Sequence, residues 1–295
     1  MKIKYVDWKP SAQSLSIVER ADELLTEYEL AGYQLSLRQL YYRFVAENVL
    51  PNTEKSYKNL GDIISKARDA GLLDWDQLVD RGREARIRPV WSAAGSFLSD
   101  VADQFSCDLW KQQETLVEVW VEKAALEEIV EQAAARFGVT TFSCRGYVAA
   151  SAMHEAAMRI RRKMGHHERV VILHLGDHDP SGIDMTRDIQ DRLSLYLTHW
   201  SSRLDVKRIA LSMDQVEEHD CPPNPAKVTD SRFAKYQDEY GDDSWELDTL
   251  EPSVLDSLIQ DSIRSFLDED IFNARVRFEK NEIKRLHKVA KTLED

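Results

Sequence analysis

The stretch Arg169-Val-Val-Ile-Leu-His-Leu175, followed by Gly176-Asp-His-Asp-Pro-Ser-Gly182, decides the fold class. Its aliphatic run predicts a buried strand, and the glycines and the proline that follow predict a turn into a helix. The surrounding chain repeats this alternation, with strands predicted over 115–121, 139–144 and 206–211 and helices over 124–137, 149–163 and 183–197. Strands that alternate with helices of this length predict an α/β fold with a parallel sheet, in which working residues follow the carboxyl ends of the strands.

The first ninety residues have a different pattern, which predicts three helices over 13–30, 36–47 and 53–70. Ser36 and Gln39 form a capping-box pattern, and Thr53 is a second candidate N-cap. With a ribbon expected from 72–79 and 81–88, these helices predict a winged helix-turn-helix. We therefore predict a winged-helix DNA-binding domain over 1–92, a metal-binding α/β domain over 93–212, and a helical, acidic C-terminal extension over 213–295 that packs on or continues the α/β domain.

The charge of the chain is concentrated in one segment. Of 295 residues, 39 are Lys or Arg and 52 are Asp or Glu, which gives a net charge of −13. Between Asp214 and Asp270 there are 17 acidic and four basic residues. This difference equals the whole excess, so the remaining chain is neutral and DNA is not excluded as a partner, although phosphate affinity depends on Lys and Arg.

The chain has no apolar run that approaches the roughly 18 residues of a membrane span, and its start has no apolar segment of signal-peptide length. We therefore expect a cytoplasmic protein without a membrane partner. The three cysteines are widely spaced, and they indicate neither a disulfide framework nor a cysteine-based zinc site.

Carboxylates follow two of the predicted strands. Glu122 follows the strand over 115–121, and Asp177 and Asp179 follow the strand over 169–175. Alternate residues of an extended segment point to the same side, so these two aspartates can approach one ion, and hard oxygen ligands suit Mg²⁺. The alternative is that both aspartates cap the next helix and that Glu122 is an ordinary polar residue at a strand end.

A tyrosine in the second predicted helix is the candidate nucleophile. Helical spacing places Leu37, Leu40, Tyr41 and Phe44 on the buried side, and Tyr42 on the exposed flank. Arg38 lies one turn before Tyr42, where a guanidinium favours phenolate and neutralises phosphate charge. A tyrosine pair in an amphipathic helix is, taken alone, more often a packing feature.

Together these motifs resemble the A subunit of type IIB DNA topoisomerases (topoisomerase VI) and its relative, the meiotic double-strand-break transesterase. The resemblance is carried by Arg38-Gln-Leu-Tyr-Tyr42, Val121-Glu122-Lys123 and Asp177-His-Asp179-Pro-Ser-Gly182, and it covers roughly 35–197. The short chain looks most like the stand-alone Mini-A proteins of mobile genetic elements. Gln39 departs from the family motif, which has an acidic residue at that position.

The resemblance implies a winged-helix domain followed by a Toprim domain, and Mg²⁺-dependent cleavage of double-stranded DNA through a 5′-phosphotyrosyl intermediate. Tyr42 would be the nucleophile and Arg38 would assist it. Glu122 would act as acid/base or metal ligand, and Asp177 and Asp179 would hold Mg²⁺. The family works as a homodimer in which the tyrosine of one subunit reaches the metal site of the other. The expected DNA-binding residues are Arg43, Arg81, Arg83, Arg86, Arg88, Lys123 and Arg145.

Two other functions are compatible with the same motifs. One is a Toprim nuclease that cleaves DNA by hydrolysis with water as the nucleophile, and the other is a non-catalytic DNA-binding protein. Arg81, Arg83, Arg86 and Arg88 fit equally well in a solvated loop, and Arg145 in a plain turn. The sequence has no nucleotide-binding loop of the Gly-x-x-x-x-Gly-Lys-[Ser/Thr] type, so any ATPase would be a separate B-type subunit.

Overall fold

The computed structural model describes residues 2–79 and 89–293. The N-terminal part consists of three helices and two very short strands: α1 (Ala12–Leu30), β1 (Leu35–Ser36), α2 (Leu37–Ala46), α3 (Glu54–Asp69) and β2 (Leu78–Val79). β1 and β2 pair in parallel. The predicted ribbon therefore has only Leu78–Val79 as a strand among the described residues, and its second half, with Arg81, Arg83, Arg86 and Arg88, lies outside them.

The helix ends in this part follow the predicted caps. Ser36 accepts a hydrogen bond from the Gln39 backbone N–H, and the Gln39 side chain accepts one from the Ser36 N–H, which completes the capping box. Thr53 caps α3 through the Ser56 N–H. The three helices enclose a core that includes Leu25, Leu40 and Phe44, and Tyr41 is buried in it as predicted.

The middle of the chain forms a four-stranded parallel sheet in the order β4–β3–β5–β6. Its elements are α4 (Ala94–Asp103), β3 (Thr115–Val121), a 3₁₀ turn at Ala124–Leu126, α5 (Glu127–Ala135), β4 (Thr140–Ser143), α6 (Ala150–Met164), β5 (Arg169–Leu175), α7 (Pro180–Leu197), a 3₁₀ segment at Thr198–Arg203 and β6 (Leu204–Ala210). The α/β prediction with a parallel sheet is thus confirmed. Buried side chains cover both faces of the sheet, as parallel sheets require.

The acidic extension folds back over the rest of the chain. It contains α8 (Met213–Glu218), β7 (Asn224–Pro225), α9 (Phe233–Tyr240), β8 (Asp243–Ser244), a 3₁₀ turn at Leu247–Thr249, α10 (Pro252–Arg264) and α11 (Glu269–Lys291). Leu247, Leu255 and Ile259 join the core on one face of the sheet. Helix α10 packs against α5, and α11 packs against α4. Helical sequence patterns over 251–267 and 271–293 correspond to α10 and α11, whereas α4, α8 and α9 were missed.

Within the described part of the chain, no helix is both long enough and apolar enough to cross a membrane.

Candidate functional site

Three carboxylates from distant parts of the chain lie together at the carboxyl end of the sheet. Asp177 follows β5, whereas Glu246 and Asp248 belong to the segment Trp245–Glu251 of the acidic extension. One oxygen from each carboxylate lies within 4.8 Å of one oxygen of the other two, an arrangement that can hold a metal ion. Asp177 and Asp248 are buried, so we call Asp177, Glu246 and Asp248 the acidic triad.

Two basic side chains neutralise the acidic triad. The Lys123 ammonium is 2.9 Å from Asp177 and 2.8 Å from Asp248, and it also pairs with Glu246. Arg38 from α2 pairs with Glu246 at 2.6 Å and with Asp248 at 3.0 Å. Burial alone would lower the pKa of Lys123, but the three carboxylates outweigh it and raise that pKa. Lys123 is therefore a buried counter-charge, which makes it unavailable as the DNA contact that we predicted.

The triad also shows signs of incomplete charge balance. Burial raises the pKa of Asp177 despite the opposing charge of Lys123, and the neighbouring acids Glu122 and Glu246 add to the rise. The Oδ2 atom of Asp248 is buried and accepts no hydrogen bond among the described residues, because Arg38 Nε approaches it as an ion pair without hydrogen-bond geometry. A buried carboxylate oxygen without a hydrogen-bond donor fits a site for a cation.

The turn after β5 is shaped by backbone contacts. Asp179 caps α7 by accepting hydrogen bonds from the Gly182 N–H at 2.6 Å and from the Ser181 hydroxyl at 2.9 Å. Gly182 is required because a Cβ there would collide with the Asp177 carbonyl oxygen. The capping alternative thus describes Asp179, while Asp177 turns towards the triad and accepts a hydrogen bond from the Leu247 N–H at 2.7 Å.

Glu122 lies beside this turn and outside the triad. Its carboxylate accepts a hydrogen bond from the Asp177 N–H at 2.9 Å. Burial raises its pKa, and that hydrogen bond opposes the rise. The acid/base and metal-ligand roles expected for Glu122, and the metal-ligand role expected for Asp179, stay predictions.

Arg208 of β6 binds the backbone of the turn that follows β5. Its guanidinium donates hydrogen bonds to the carbonyl oxygens of Gly176 at 2.8 Å, Asp177 at 2.5 Å and Gly182 at 2.9 Å. A further hydrogen bond joins it to the Leu211 carbonyl. A half-buried guanidinium that binds several carbonyl groups fixes the path of the backbone, so Arg208 positions Asp177.

Tyr42 lies next to the triad on the same chain, but it is not exposed as predicted. Only 5% of the residue is accessible, because the segment Trp245–Glu251 covers the flank of α2. The Arg38 guanidinium carbon is 6.0 Å from the centre of the Tyr42 ring. Burial, and then the charges of Glu246 and Asp248, raise the pKa of Tyr42, while Arg38 and Lys123 oppose that rise.

The remaining predicted DNA contacts differ in accessibility. Arg43 is buried, donates a hydrogen bond to the Thr249 carbonyl at 2.5 Å and pairs with Glu251, so it joins α2 to the extension and faces away from solvent. We therefore remove Arg43 from the candidate DNA contacts. Arg145 is exposed and forms an ion pair with Glu127 at 3.2 Å. It stays a candidate.

A cleft opens from the triad towards α3. Its volume is about 410 Å³, and its lining includes Arg38, Tyr42, Tyr57, Lys58 and Glu246. The candidate nucleophile, its arginine and one carboxylate of the triad therefore border the same open space.

Sequence reasoning missed Glu246, Asp248 and Arg208. The motif Glu246-Leu-Asp248 has the same acid-x-acid spacing as Asp177-His-Asp179, and that repetition was the available signal. Arg208 interrupts an otherwise strand-like run, which is a weaker signal.

No protein-family model and no curated protein matches this chain.

Proposed function

We propose that this protein is a Mg²⁺-dependent DNA-cleaving transesterase of the type IIB topoisomerase A class, with a winged-helix part that binds DNA and a Toprim-type sheet that binds the metal. The observation that carries the proposal is the position of Tyr42 and Arg38 beside the acidic triad, at one cleft of a single chain. A phenol, a guanidinium and a carboxylate site for a hard cation are the groups that phosphodiester transfer needs.

The reaction would exchange one phosphodiester for another. The Tyr42 oxygen would attack the phosphorus atom, the bond from phosphorus to the 3′ oxygen would break, and the 5′ phosphate would remain on the tyrosine. The phenolic proton would pass to a neighbouring carboxylate, and the departing 3′ oxygen would take up a proton from an acid such as Glu122, whose raised pKa suits that role. No oxidant and no nucleotide is consumed.

The residues of the triad fit Mg²⁺ because all three offer carboxylate oxygens. When bound, Mg²⁺ would act as a Lewis acid on phosphate oxygens. Arg38 would then leave Glu246 and Asp248 and neutralise the phosphate that Tyr42 attacks. The phosphate would approach Tyr42 through the cleft that this tyrosine lines, so that Glu246 and Asp248 could stay at the metal site.

The test is a cleavage assay on supercoiled plasmid with Mg²⁺, stopped with detergent and analysed with and without protease. Wild-type protein should form DNA adducts that protease removes, and Tyr42→Phe should form none. Tyr57→Phe is the matched control, since Tyr57 lines the same cleft, and it should form adducts at the wild-type level. Adducts at the wild-type level in Tyr42→Phe would refute the role of Tyr42.

Hydrolysis by a Toprim nuclease is the second candidate, and the burial of Tyr42 favours it. A phenol with 5% exposure and a raised pKa is a poor nucleophile while the extension covers it. Under this mechanism Tyr42→Phe would still cleave the plasmid and no adduct would appear in any variant. Asp177→Asn would abolish cleavage under both mechanisms.

The position of Tyr42 indicates how the catalytic groups would be divided between the two subunits of a homodimer. Because Tyr42 lies beside the triad of its own chain, we propose that each subunit completes its own site, and that a homodimer cuts both strands with two such sites. A mixture of Tyr42→Phe and Asp248→Asn subunits distinguishes this from shared sites. If sites are shared between subunits, the mixture regains nicking activity. If each subunit completes its own site, the mixture stays inactive. A separate ATPase subunit stays a prediction.

A further inference from the structure

Helix α11 presents a continuous basic surface that the site above does not use. Taking Arg277 as zero at 100° per residue, Lys280, Lys284, Lys288 and Lys291 fall between about −60° and +20°. All five side chains are exposed. We call these five residues the basic stripe.

The basic stripe is free of acidic residues. From position 273 onwards, every residue between about −60° and +40° is Asn, Lys or Arg, because Asn273 and Asn281 take the two remaining positions. None of the five basic residues has an ion pair within residues 2–79 and 89–293, whereas Arg285, outside the stripe, pairs with Glu282 at 2.7 Å. The stripe therefore carries five unbalanced charges.

The row of like charges in the basic stripe lowers the stability of α11 as an isolated helix. Like charges three or four residues apart destabilise a helix by about 0.2–0.5 kcal/mol for each pair. The stripe contains four such pairs, between Arg277 and Lys280, Lys280 and Lys284, Lys284 and Lys288, and Lys288 and Lys291. The negative end of the helix dipole compensates only the last turn, which holds Lys288 and Lys291. The three earlier charges have no such compensation.

The helix that carries the stripe is held in place by its other faces. Helix α4 packs along it, and His287 lies 2.8 Å from Asp103. Glu279 accepts a hydrogen bond from the Cys107 N–H at 2.7 Å, and Arg275 donates one to the Asp108 carbonyl. The stripe is thus a fixed surface on the outside of the protein.

We infer that the basic stripe binds the phosphate backbone of double-stranded DNA, as a surface separate from the cleavage site. From Arg277 to Lys291 it spans about 21 Å at 1.5 Å per residue. A duplex carries about 12 phosphate charges over that length. Lysine, arginine and asparagine are the side chains that bind phosphate oxygens without reading sequence. In a protein with a net charge of −13, a local stripe of this kind supplies the attraction that the whole chain lacks.

The test measures DNA binding apart from cleavage. A fluorescein-labelled duplex is titrated with Tyr42→Phe protein in EDTA over a series of salt concentrations, and the anisotropy is followed. A triple variant, Lys280→Gln/Lys284→Gln/Lys288→Gln, is compared with a control of equal charge change, Lys111→Gln/Arg161→Gln/Arg162→Gln, whose three residues are also exposed. If each lysine contacts a phosphate, the stripe variant should lose more than about tenfold in affinity at low salt, and the slope of log K against log salt should fall by about 2.7.

Equal affinity of the two triple variants would overturn the inference. Exposed apolar side chains also lie on α11, including Phe278, Leu286 and Val289, so the same proteins are tested for sedimentation with phosphatidylcholine–phosphatidylserine vesicles. Loss of vesicle binding with unchanged DNA binding would assign the stripe to a membrane surface and would also overturn the inference. Because the assay needs neither metal nor Tyr42, its failure and the failure of the cleavage mechanism are separate results.

Discussion

Replacing Lys123 with methionine tests whether the acidic triad is a cation site. Methionine keeps the length of the side chain but removes the charge that lies between Asp177, Glu246 and Asp248. Removing one partner of a buried ion pair costs about 3–5 kcal/mol. Arg38 still neutralises Glu246 and Asp248 in the variant, so we expect a loss of about 3 kcal/mol in the free energy of unfolding.

Divalent metal should reverse this loss, because a cation can take the position of the ammonium. At a Mg²⁺ concentration of 100 times its dissociation constant, binding to the folded state would restore about 2.7 kcal/mol. Wild-type protein should gain less, since Lys123 competes for the same carboxylates. The measurement is urea unfolding followed by tryptophan fluorescence, in EDTA and in Mg²⁺.

Lys58→Met is the matched control for this experiment. Lys58 pairs with Glu54 at 2.7 Å on an exposed helix surface, and exposed pairs contribute at most about 1 kcal/mol. Its stability should change little and should not respond to Mg²⁺ differently from wild type. A loss below about 1 kcal/mol in Lys123→Met, or equal unfolding midpoints in EDTA and Mg²⁺, would refute the assignment of the triad as a cation site.

Three further measurements test the structure around the site. Arg208→Lys should lower the free energy of unfolding by about 2 kcal/mol in urea, because a lysine cannot satisfy all the carbonyl groups that the guanidinium binds. An unchanged midpoint would contradict its positioning role. Ser36→Ala should cost about 1 kcal/mol through loss of the capping box, whereas Ser16→Ala, at an exposed position of α1, serves as the control. Burial lowers the pKa of His178 to about 4, so the unfolded chain, with an ordinary histidine pKa near 6.5, binds a proton first as the pH falls. The stability that neutral His178 contributes is complete above about pH 6.5 and is lost towards pH 4. The difference in unfolding free energy between wild type and His178→Gln should therefore shrink by about 2 kcal/mol from pH 7 to pH 5. A difference that stays constant with pH would argue against this coupling.

The two central strands of the sheet could be predicted from the sequence because most of their residues are buried and apolar. The strands Thr115–Val121 and Arg169–Leu175 agree with the prediction residue for residue, since burial on both faces makes a parallel strand mostly apolar along its length. Helix α4 was missed because its sequence, which includes Gly95 and two serines, has weak helical propensity. Its position depends on packing against α11, a contact between distant parts of the chain.

The candidate site was predictable only in part, because it too depends on contacts between distant parts of the chain. Asp177 follows a strand, and its approximate position therefore follows from the parallel sheet. Glu246 and Asp248 lie in irregular chain, and no local pattern indicates that this chain returns to the sheet. The burial of Tyr42 was also missed, because helical periodicity describes α2 alone. It gives no information on the segment Trp245–Glu251, which covers Tyr42 in the folded chain.

Because the acidic extension folds back onto the sheet, the acidic triad forms late in the synthesis of the chain. The sheet is complete once Ala210 has been synthesised, and the three N-terminal helices are complete long before. The triad forms only when Leu247 and its two acidic neighbours reach Asp177, 70 residues earlier in the chain. A ribosome-bound chain that ends before this point has the four-stranded sheet and the three N-terminal helices but not the acidic triad, α10 or α11, so the proposed DNA cleavage would begin only after most of the protein has been made.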